Sequence, residues 1–132
     1  MRSERDDRLV KLRPELPLEN SSDNYTESMG AFQNEVLRPI LKFQNSIILA
    51  QFKQYIIKFK PAFNAYNGQV QRNYIQDVLK TDPRIKNSLI ASVVSVMTIE
   101  EYGFYCENKN ECNKRIITLM TKRLQDQLEQ LY

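Results

Sequence analysis

The side chains that most often carry out chemistry are sparse in this 132-residue chain, which contains no histidine. Without an imidazole, the chain has no Ser–His or Cys–His nucleophile pair, no histidine-ligated metal site and no histidine general base. Its three glycines, Gly30, Gly68 and Gly103, lie too far apart for a glycine-rich phosphate-binding loop. The composition therefore excludes several large classes of enzyme site.

Paired carboxylates are the main catalytic device left to a chain without histidine. Glu100 and Glu101 are adjacent, so on a helix their side chains point about 100° apart and do not converge on one substrate. The pattern Thr98-Ile99-Glu100-Glu101 instead predicts a helix-capping box. Cys106 and Cys112 are spaced as C-x5-C, which matches no metal motif. We therefore predict no catalytic residue, no metal site and no cofactor.

Lysine and arginine form two clusters that could bind a partner. The first cluster, near the first turn between helices, consists of Lys53, Lys58, Lys60 and Arg72. The aromatic residues that alternate with it, a combination typical of RNA-binding surfaces, are Tyr55, Phe59, Phe63, Tyr66 and Tyr74. The second cluster, near the C-terminus, consists of Lys114, Arg115, Lys122 and Arg123. The alternative interpretation is a solvated helix surface, with the aromatic residues in the core.

The first 30 residues differ in composition from the rest of the chain. Residues 1–30 contain two prolines, a polar run over residues 19–24, and five basic against seven acidic residues. Such a segment has too few large apolar side chains to offset the entropy lost on ordering. We therefore predict a disordered polar arm over residues 1–30. Residues 31–132 carry 14 basic and 9 acidic residues, and we predict that they form one all-helical domain.

Apolar residues recur at steps of three and four through most of this domain, which predicts helices. The first helix should carry a core stripe that includes Phe43 and Ile47. Pro39 either kinks this helix or opens its main segment, and Pro61 ends it. The predicted helices cover residues 32–60, about 70–79, 83–97, 99–105 and 111–132, and Thr81-Asp82-Pro83 marks the cap and first residue of the third. The fold class is therefore all-α, a single compact bundle of about five helices.

A set of short motifs is spread over residues 32–128. They are Phe32-Gln33-Asn34, Leu37-Arg38-Pro39, Lys42, Gln44-Asn45, Tyr74-Ile75, Asn87-Ser88-Leu89, Thr98, Glu100-Glu101-Tyr102, Asn113-Lys114-Arg115, Arg123-Leu124 and Gln127. This set resembles a family of short bacterial proteins that carry the name glyoxalase. The name implies a metal-dependent lyase acting on a glutathione hemithioacetal. Because such enzymes use histidine-containing ligand sets, we take the fold pattern from the resemblance and leave the activity aside.

These observations favour a non-enzymatic cytoplasmic helical module that binds a macromolecular partner. Protein is the first candidate partner, and RNA or a ribonucleoprotein is the second. The candidate binding residues are the two basic clusters, while the Gln33-Asn34 and Gln44-Asn45 pairs indicate either buried hydrogen bonds or a partner contact. No membrane partner is expected, because no window holds about 18 apolar residues and the N-terminus is not a secretory signal. Self-association through the last helix stays open.

Overall fold

The computed structural model describes residues 3–13 and 28–132. Within these ranges the regular segments are helices and none is a strand, which confirms the all-α prediction. The α-helices are α1 Glu4–Leu12, α2 Met29–Phe32, α3 Arg38–Phe43, α4 Asn45–Phe59, α5 Gly68–Thr81, α6 Pro83–Val94, α7 Ile99–Glu107 and α8 Lys109–Gln125. A π-helical turn spans Gln33–Leu37, and short 3₁₀ turns span Phe63–Ala65 and Leu128–Leu131.

The predicted arm over residues 1–30 contains a helix, α1, and this part of the structure differs from the prediction. Ser3 caps α1, since its Oγ accepts a hydrogen bond of 3.1 Å from the Asp6 N–H. Acidic residues occupy the first turn, where they interact favourably with the helix dipole. The prediction of disorder rests on the small number of apolar residues, and it therefore misses a helix that polar contacts hold in place. Residues 14–27 of the predicted arm lie outside the described residues.

Polar contacts attach α1 to the connection between α6 and α7. The Arg5 guanidinium donates to the carbonyl oxygens of Ser95, at 2.8 Å, and Met97, at 3.0 Å. The Ile99 N–H donates to Asp6 Oδ2 at 2.9 Å. These bonds satisfy backbone groups at the end of α6 and the start of α7, which no helix can satisfy internally.

The predicted first helix over residues 32–60 is interrupted twice. The π-helical turn comes directly before Pro39, and the Arg38 N–H bonds to the Gln33 oxygen five residues back. Pro39 has no N–H for an α-helical bond, so a change of helix type next to it is physically reasonable. The chain leaves helical geometry again at Gln44, and α4 ends at Phe59, just before Pro61.

Local caps define the remaining helices, and the sequence predicts two of them, the cap before Pro83 and the capping box at Thr98. Asn67 caps α5, accepting from the Val70 N–H at 3.0 Å. Asp82 caps α6, which begins at Pro83. Thr98 and Glu101 form the capping box of α7. α8 begins at Lys109 and ends at Gln125, so it is shorter at its C-terminus than predicted.

The core lies where α8 packs against α5 and α6, and where α4 packs against α6 and the last 3₁₀ turn. Phe32, Phe52 and Phe63 are its largest fully buried side chains. The rings of Phe32 and Phe104 stack with centroids 4.3 Å apart. Phe43 and Ile47, which the periodicity assigned to the core, are 37% and 47% exposed instead. α4 therefore presents apolar residues on two faces. In the described ranges, no helix is long and apolar enough to cross a membrane.

Candidate binding surfaces

The basic residues of the first predicted cluster have separate neighbours. Lys60 Nζ lies 5.4 Å from the ring centroid of Tyr66 and 5.8 Å from that of Tyr74. Lys58 Nζ lies 5.3 Å from the Phe59 ring. Lys60 therefore uses aromatic faces that a bound base would need.

The other two members of that cluster lie on different helices. Lys53 is half-buried on α4. Arg72 lies on α5, where its Nη2 is 3.5 Å from Gln69 Oε1 and its guanidinium covers Gly68. The structure thus brings Lys60 against the predicted aromatic residues, while Arg72 contacts its own helix.

The second predicted cluster divides along α8. Arg115 donates to Glu111 Oε1 on its own helix and to Gln33 Oε1 of the π-helical turn, both at 3.0 Å. Lys122 Nζ lies 3.7 Å from Asp126 Oδ2. Lys114 lies in a cleft of about 390 Å³, beside Lys80 and Lys86. Lys122 lines a second cleft, between α3 and α8, so the two lysines do not share a surface.

A larger cleft of about 480 Å³ lies between α3 and α8, and we call it the basic cleft. Its lining residues are Arg38, Leu41, Lys42, Leu119, Lys122, Arg123, Asp126 and Gln127. Of these, Lys122 and Arg123 belong to the second basic cluster predicted from the sequence. Arg38 and Lys42 occur among the motifs of the family resemblance, which is the signal that could have pointed to them.

Side-chain amides orient the arginines of the basic cleft. Arg38 Nε donates to Asn34 Oδ1 at 3.0 Å, and Arg123 Nη1 donates to Asn45 Oδ1 at 3.3 Å. Asn45 and Gln127 exchange two further hydrogen bonds, of 3.0 and 2.9 Å. Asn34 and Asn45, whose role the sequence left open, thus hydrogen-bond within the chain.

The Arg123 guanidinium is half-buried, and it donates to the neutral side-chain amide of Asn45. Burial, followed by the charge of Arg38, lowers the pKa of Arg123. An arginine stays protonated in a protein despite such a shift. The basic cleft therefore holds a positive charge that is partly removed from water.

A second surface is an apolar groove of about 450 Å³ between α4 and α6. We call it the α4/α6 groove, and its lining residues are Ile47, Ala50, Gln51, Gln54, Tyr55, Lys58, Arg84, Ile85 and Ser88. Ser88 Oγ donates to Gln51 Oε1 at 2.7 Å across the groove. Ile57, on the same exposed side of α4, is 56% exposed.

Tyr55, Asp82 and Arg84 form a polar corner at this groove. The Tyr55 hydroxyl donates to Asp82 Oδ2, and Arg84 Nη2 donates to the same oxygen at 2.7 Å. The hydrogen bonds from Arg84 and Tyr55 hold the pKa of Asp82 well below its usual range. Burial, with the neighbouring Asp82, raises the pKa of Tyr55. The carboxylate of Asp82 is thus already committed within the chain.

The two glutamates and the two cysteines singled out in the sequence lie in different environments. Glu101 is buried in an ion pair with Arg13, whereas Glu100 is exposed. Both thiols are free, with Cys106 exposed and Cys112 buried. Across residues 3–13 and 28–132, no group of three carboxylate or thiol side chains is placed to hold a metal ion.

Comparison of the chain with family models, with curated proteins and with solved structures gives no match. The resemblance to glyoxalase-named proteins accordingly stays a prediction.

Proposed function

We propose that this chain is a protein-binding helical module and that the α4/α6 groove is its docking surface. The partner is an amphipathic helix that carries acidic residues beside its apolar stripe. The observation that carries the proposal is the second apolar face of α4, opposite the face that Ile48, Phe52 and Ile56 bury in the core. An apolar face left exposed on a helix that is already anchored is typical of interaction sites.

The spacing of this face matches helix–helix packing. On α4, Ile47, Ala50, Gln54 and Ile57 follow one another at steps of three, four and three residues. That alternation is the a/d pattern by which one helix packs along another. Ala50 lies within the series, where a small side chain lets a partner helix approach closely. The groove is therefore suited to a helix lying along α4 and α6.

The charged residues of the α4/α6 groove indicate which kind of partner helix would bind there. Lys58 and Arg84 are the charged residues in the described lining of the groove, and both are cations. Asp82 is bound to Tyr55 and Arg84 and so supplies little attraction for a basic partner. Acidic residues flanking the partner's apolar stripe would complement Lys58, which favours an acidic helix.

A second copy of this chain is a poorer occupant. Lys58 and Arg84 line the groove in every copy, so two copies that met through this groove would bring cations against cations. Such like-charge contacts oppose association. RNA is also a weaker candidate, because Lys60, Arg115, Lys122 and Lys114 have different neighbours and do not form one basic stripe. The free, exposed thiol of Cys106 supports a reducing compartment, so we place the module in the cytoplasm.

A designed peptide tests this proposal directly. The probe is a synthetic amphipathic helix of roughly two heptads, with leucine at the a and d positions and glutamate beside them. Fluorescence anisotropy should show binding, and a version with lysine in place of glutamate should bind more weakly. Ile47→Asp should raise the Kd at least about tenfold, since it places a charge where an apolar contact is lost.

Val70→Asp is the matched control, because Val70 is 44% exposed but lies on α5 outside the groove. It should leave the Kd of the glutamate peptide unchanged. The proposal fails if Ile47→Asp and Val70→Asp bind this peptide equally well, or if the lysine peptide binds more tightly. It also fails if sedimentation shows that the wild-type protein is a dimer and that Ile47→Asp dissociates it. A wild-type protein that binds RNA, with Ile47→Asp losing RNA binding but keeping peptide binding, would contradict it as well.

A further inference from the structure

The basic cleft differs from the α4/α6 groove in position, lining and charge. α3 contributes Arg38 and Lys42, and α8 contributes Lys122 and Arg123. Its residues take no part in the groove. A ligand in the basic cleft would therefore bind independently of a helix in the groove.

Positive charge exceeds negative charge among the described residues that line the basic cleft. Among the residues that the structure describes there, four are cations and one, Asp126, is a carboxylate. Asp126 lies 3.7 Å from Lys122 Nζ and so neutralises one cation at most. The described lining therefore has a net charge of +3, and one of its cations, Arg123, is half-buried.

The arginines of the cleft are held differently from the buried arginine elsewhere in the chain. Arg13 meets the Glu101 carboxylate through two hydrogen bonds, of 2.7 and 2.6 Å. Arg38 and Arg123 are instead oriented by the neutral oxygens of Asn34 and Asn45. An amide fixes the direction of a guanidinium without cancelling its charge. This arrangement prepares both arginines for an anion.

The size and lining of the cleft indicate more than a small inorganic anion. A volume of about 480 Å³ is within the range of sites for organic ligands. Leu41 and Leu119 line it, and the aliphatic stems of long cationic side chains add apolar surface. The ligand should therefore have an anionic head and an apolar or flat body.

We propose that the basic cleft binds a phosphomonoester, with the phosphate between the cations and the organic body against Leu41 and Leu119. A phosphomonoester carries nearly two negative charges at neutral pH and three acceptor oxygens. It therefore complements a net charge of +3 better than a single carboxylate does. Arg38 and Arg123 would bind the phosphate oxygens, and Lys42 and Lys122 would add charge around them.

Three probes separate the head from the body: adenosine monophosphate has both, inorganic phosphate has the head, and adenosine has the body. Titrations of the full chain followed by amide NMR should show adenosine monophosphate binding with a Kd of roughly millimolar or below. The shifted amides should belong to α3 and α8. Inorganic phosphate should bind at least about tenfold more weakly, and adenosine more weakly still.

Charge variants test the residues. Arg123→Met and Lys42→Met should each raise the Kd for adenosine monophosphate at least about fivefold, from the loss of one charged hydrogen-bond donor. Arg123→Lys should retain more affinity than Arg123→Met. The control Arg8→Met removes the same charge from exposed α1 and should not change the Kd. Lys42 is exposed, so Lys42→Met keeps the test decisive if the Arg123 variants do not fold.

Several results would overturn the proposal. One is the absence of adenosine monophosphate binding at roughly tenfold above the expected Kd. Another is an equal loss of affinity in Lys42→Met and Arg8→Met. Inorganic phosphate binding as tightly as adenosine monophosphate would overturn the assignment of an organic body. Each of these outcomes leaves peptide binding in the α4/α6 groove unaffected, so the two proposals fail separately.

Discussion

The guanidinium of Arg13 and the carboxylate of Glu101 face each other in a two-bond ion pair, although they are 88 residues apart in sequence. Their side chains are only 8% and 9% exposed. Glu101 Oε1 also accepts a hydrogen bond of 2.8 Å from the Thr98 N–H. One carboxylate thus serves both the cap of α7 and the attachment of α1.

Arg13→Met should destabilise the fold by about 3 kcal/mol, because it leaves the buried Glu101 charge without its counter-ion. Urea unfolding at neutral pH measures the change. Arg8→Met is the control, because Arg8 is 75% exposed in its pair with Glu4 and such pairs contribute about 0.5 kcal/mol. Equal losses in the two variants would show that the Arg13–Glu101 pair is not buried in solution.

Thr98→Ala should lower the free energy of unfolding by about 1 kcal/mol, because its hydroxyl accepts from the Glu101 N–H at 3.1 Å. Thr118→Ala should change stability by less than about 0.5 kcal/mol, since its exposed hydroxyl bonds within a helix. Thermal unfolding of both variants makes the comparison. A Thr98→Ala protein as stable as Thr118→Ala would contradict the capping box.

The polar corner should make the free energy of unfolding depend on pH in the acidic range. The depressed pKa of Asp82 means that its stabilisation is fully present above the ordinary aspartate pKa of about 3.9. It is lost as pH falls from there through the folded-state pKa. Asp82→Asn keeps a side chain that can cap α6 but loses the charge. The variant should therefore be less stable than wild type at pH 7, with the gap narrowing below about pH 4.

Urea unfolding at both pH values measures that gap. Asp126→Asn is a suitable control, because Asp126 is exposed and its contact with Lys122 Nζ is long, at 3.7 Å. Its stability should follow that of wild type at both pH values. A gap between wild type and Asp82→Asn that is constant or widens on acidification would refute the role assigned to the Asp82 charge.

The two thiols should react at very different rates. Burial raises the pKa of Cys112 to about 11, so little thiolate forms at neutral pH, and the side chain is inaccessible. Cys106 is exposed. Mass spectrometry after brief alkylation of folded protein should find one label, on Cys106, and two labels in urea. Cys106→Ser should remain unlabelled when folded, whereas prompt labelling of that variant would place Cys112 at the surface.

Local signals in the sequence predict the helix caps, because a cap depends on residues within about one turn of each other. Thr98 caps α7 through the capping box that its sequence pattern predicts, and Asn67 and Asp82 cap α5 and α6. Periodicity places Phe43 and Ile47 less well, because an apolar stripe does not say which of two faces meets the core. α4 has apolar residues on both faces, and tertiary packing decides between them.

The basic cleft and the α4/α6 groove each lie between two helices, and the sequence alone does not indicate which helices lie side by side. Lys122 belongs to a predicted basic cluster, but its neighbours in the basic cleft come from α3, some 80 residues earlier. The attachment of α1 is likewise invisible to composition, since Arg5 and Arg13 reach carbonyl oxygens and a carboxylate far along the chain. Charge counts identify a basic domain, but the cleft between α3 and α8 identifies where the charge is concentrated.

The π-helical turn at Gln33–Leu37 determines the direction in which the side chains of the next helix, α3, point. A π turn contains one residue more than an α-helical turn, so the residues after it are rotated by about 100° relative to an uninterrupted α-helix. Gln33, within the turn, meets Arg115, while Arg38 and Lys42, after it, line the basic cleft. Loss of that one extra residue would leave every cation in the sequence yet turn Arg38 and Lys42 away from α8. The length of a single turn therefore determines whether the positive charges of the two helices converge.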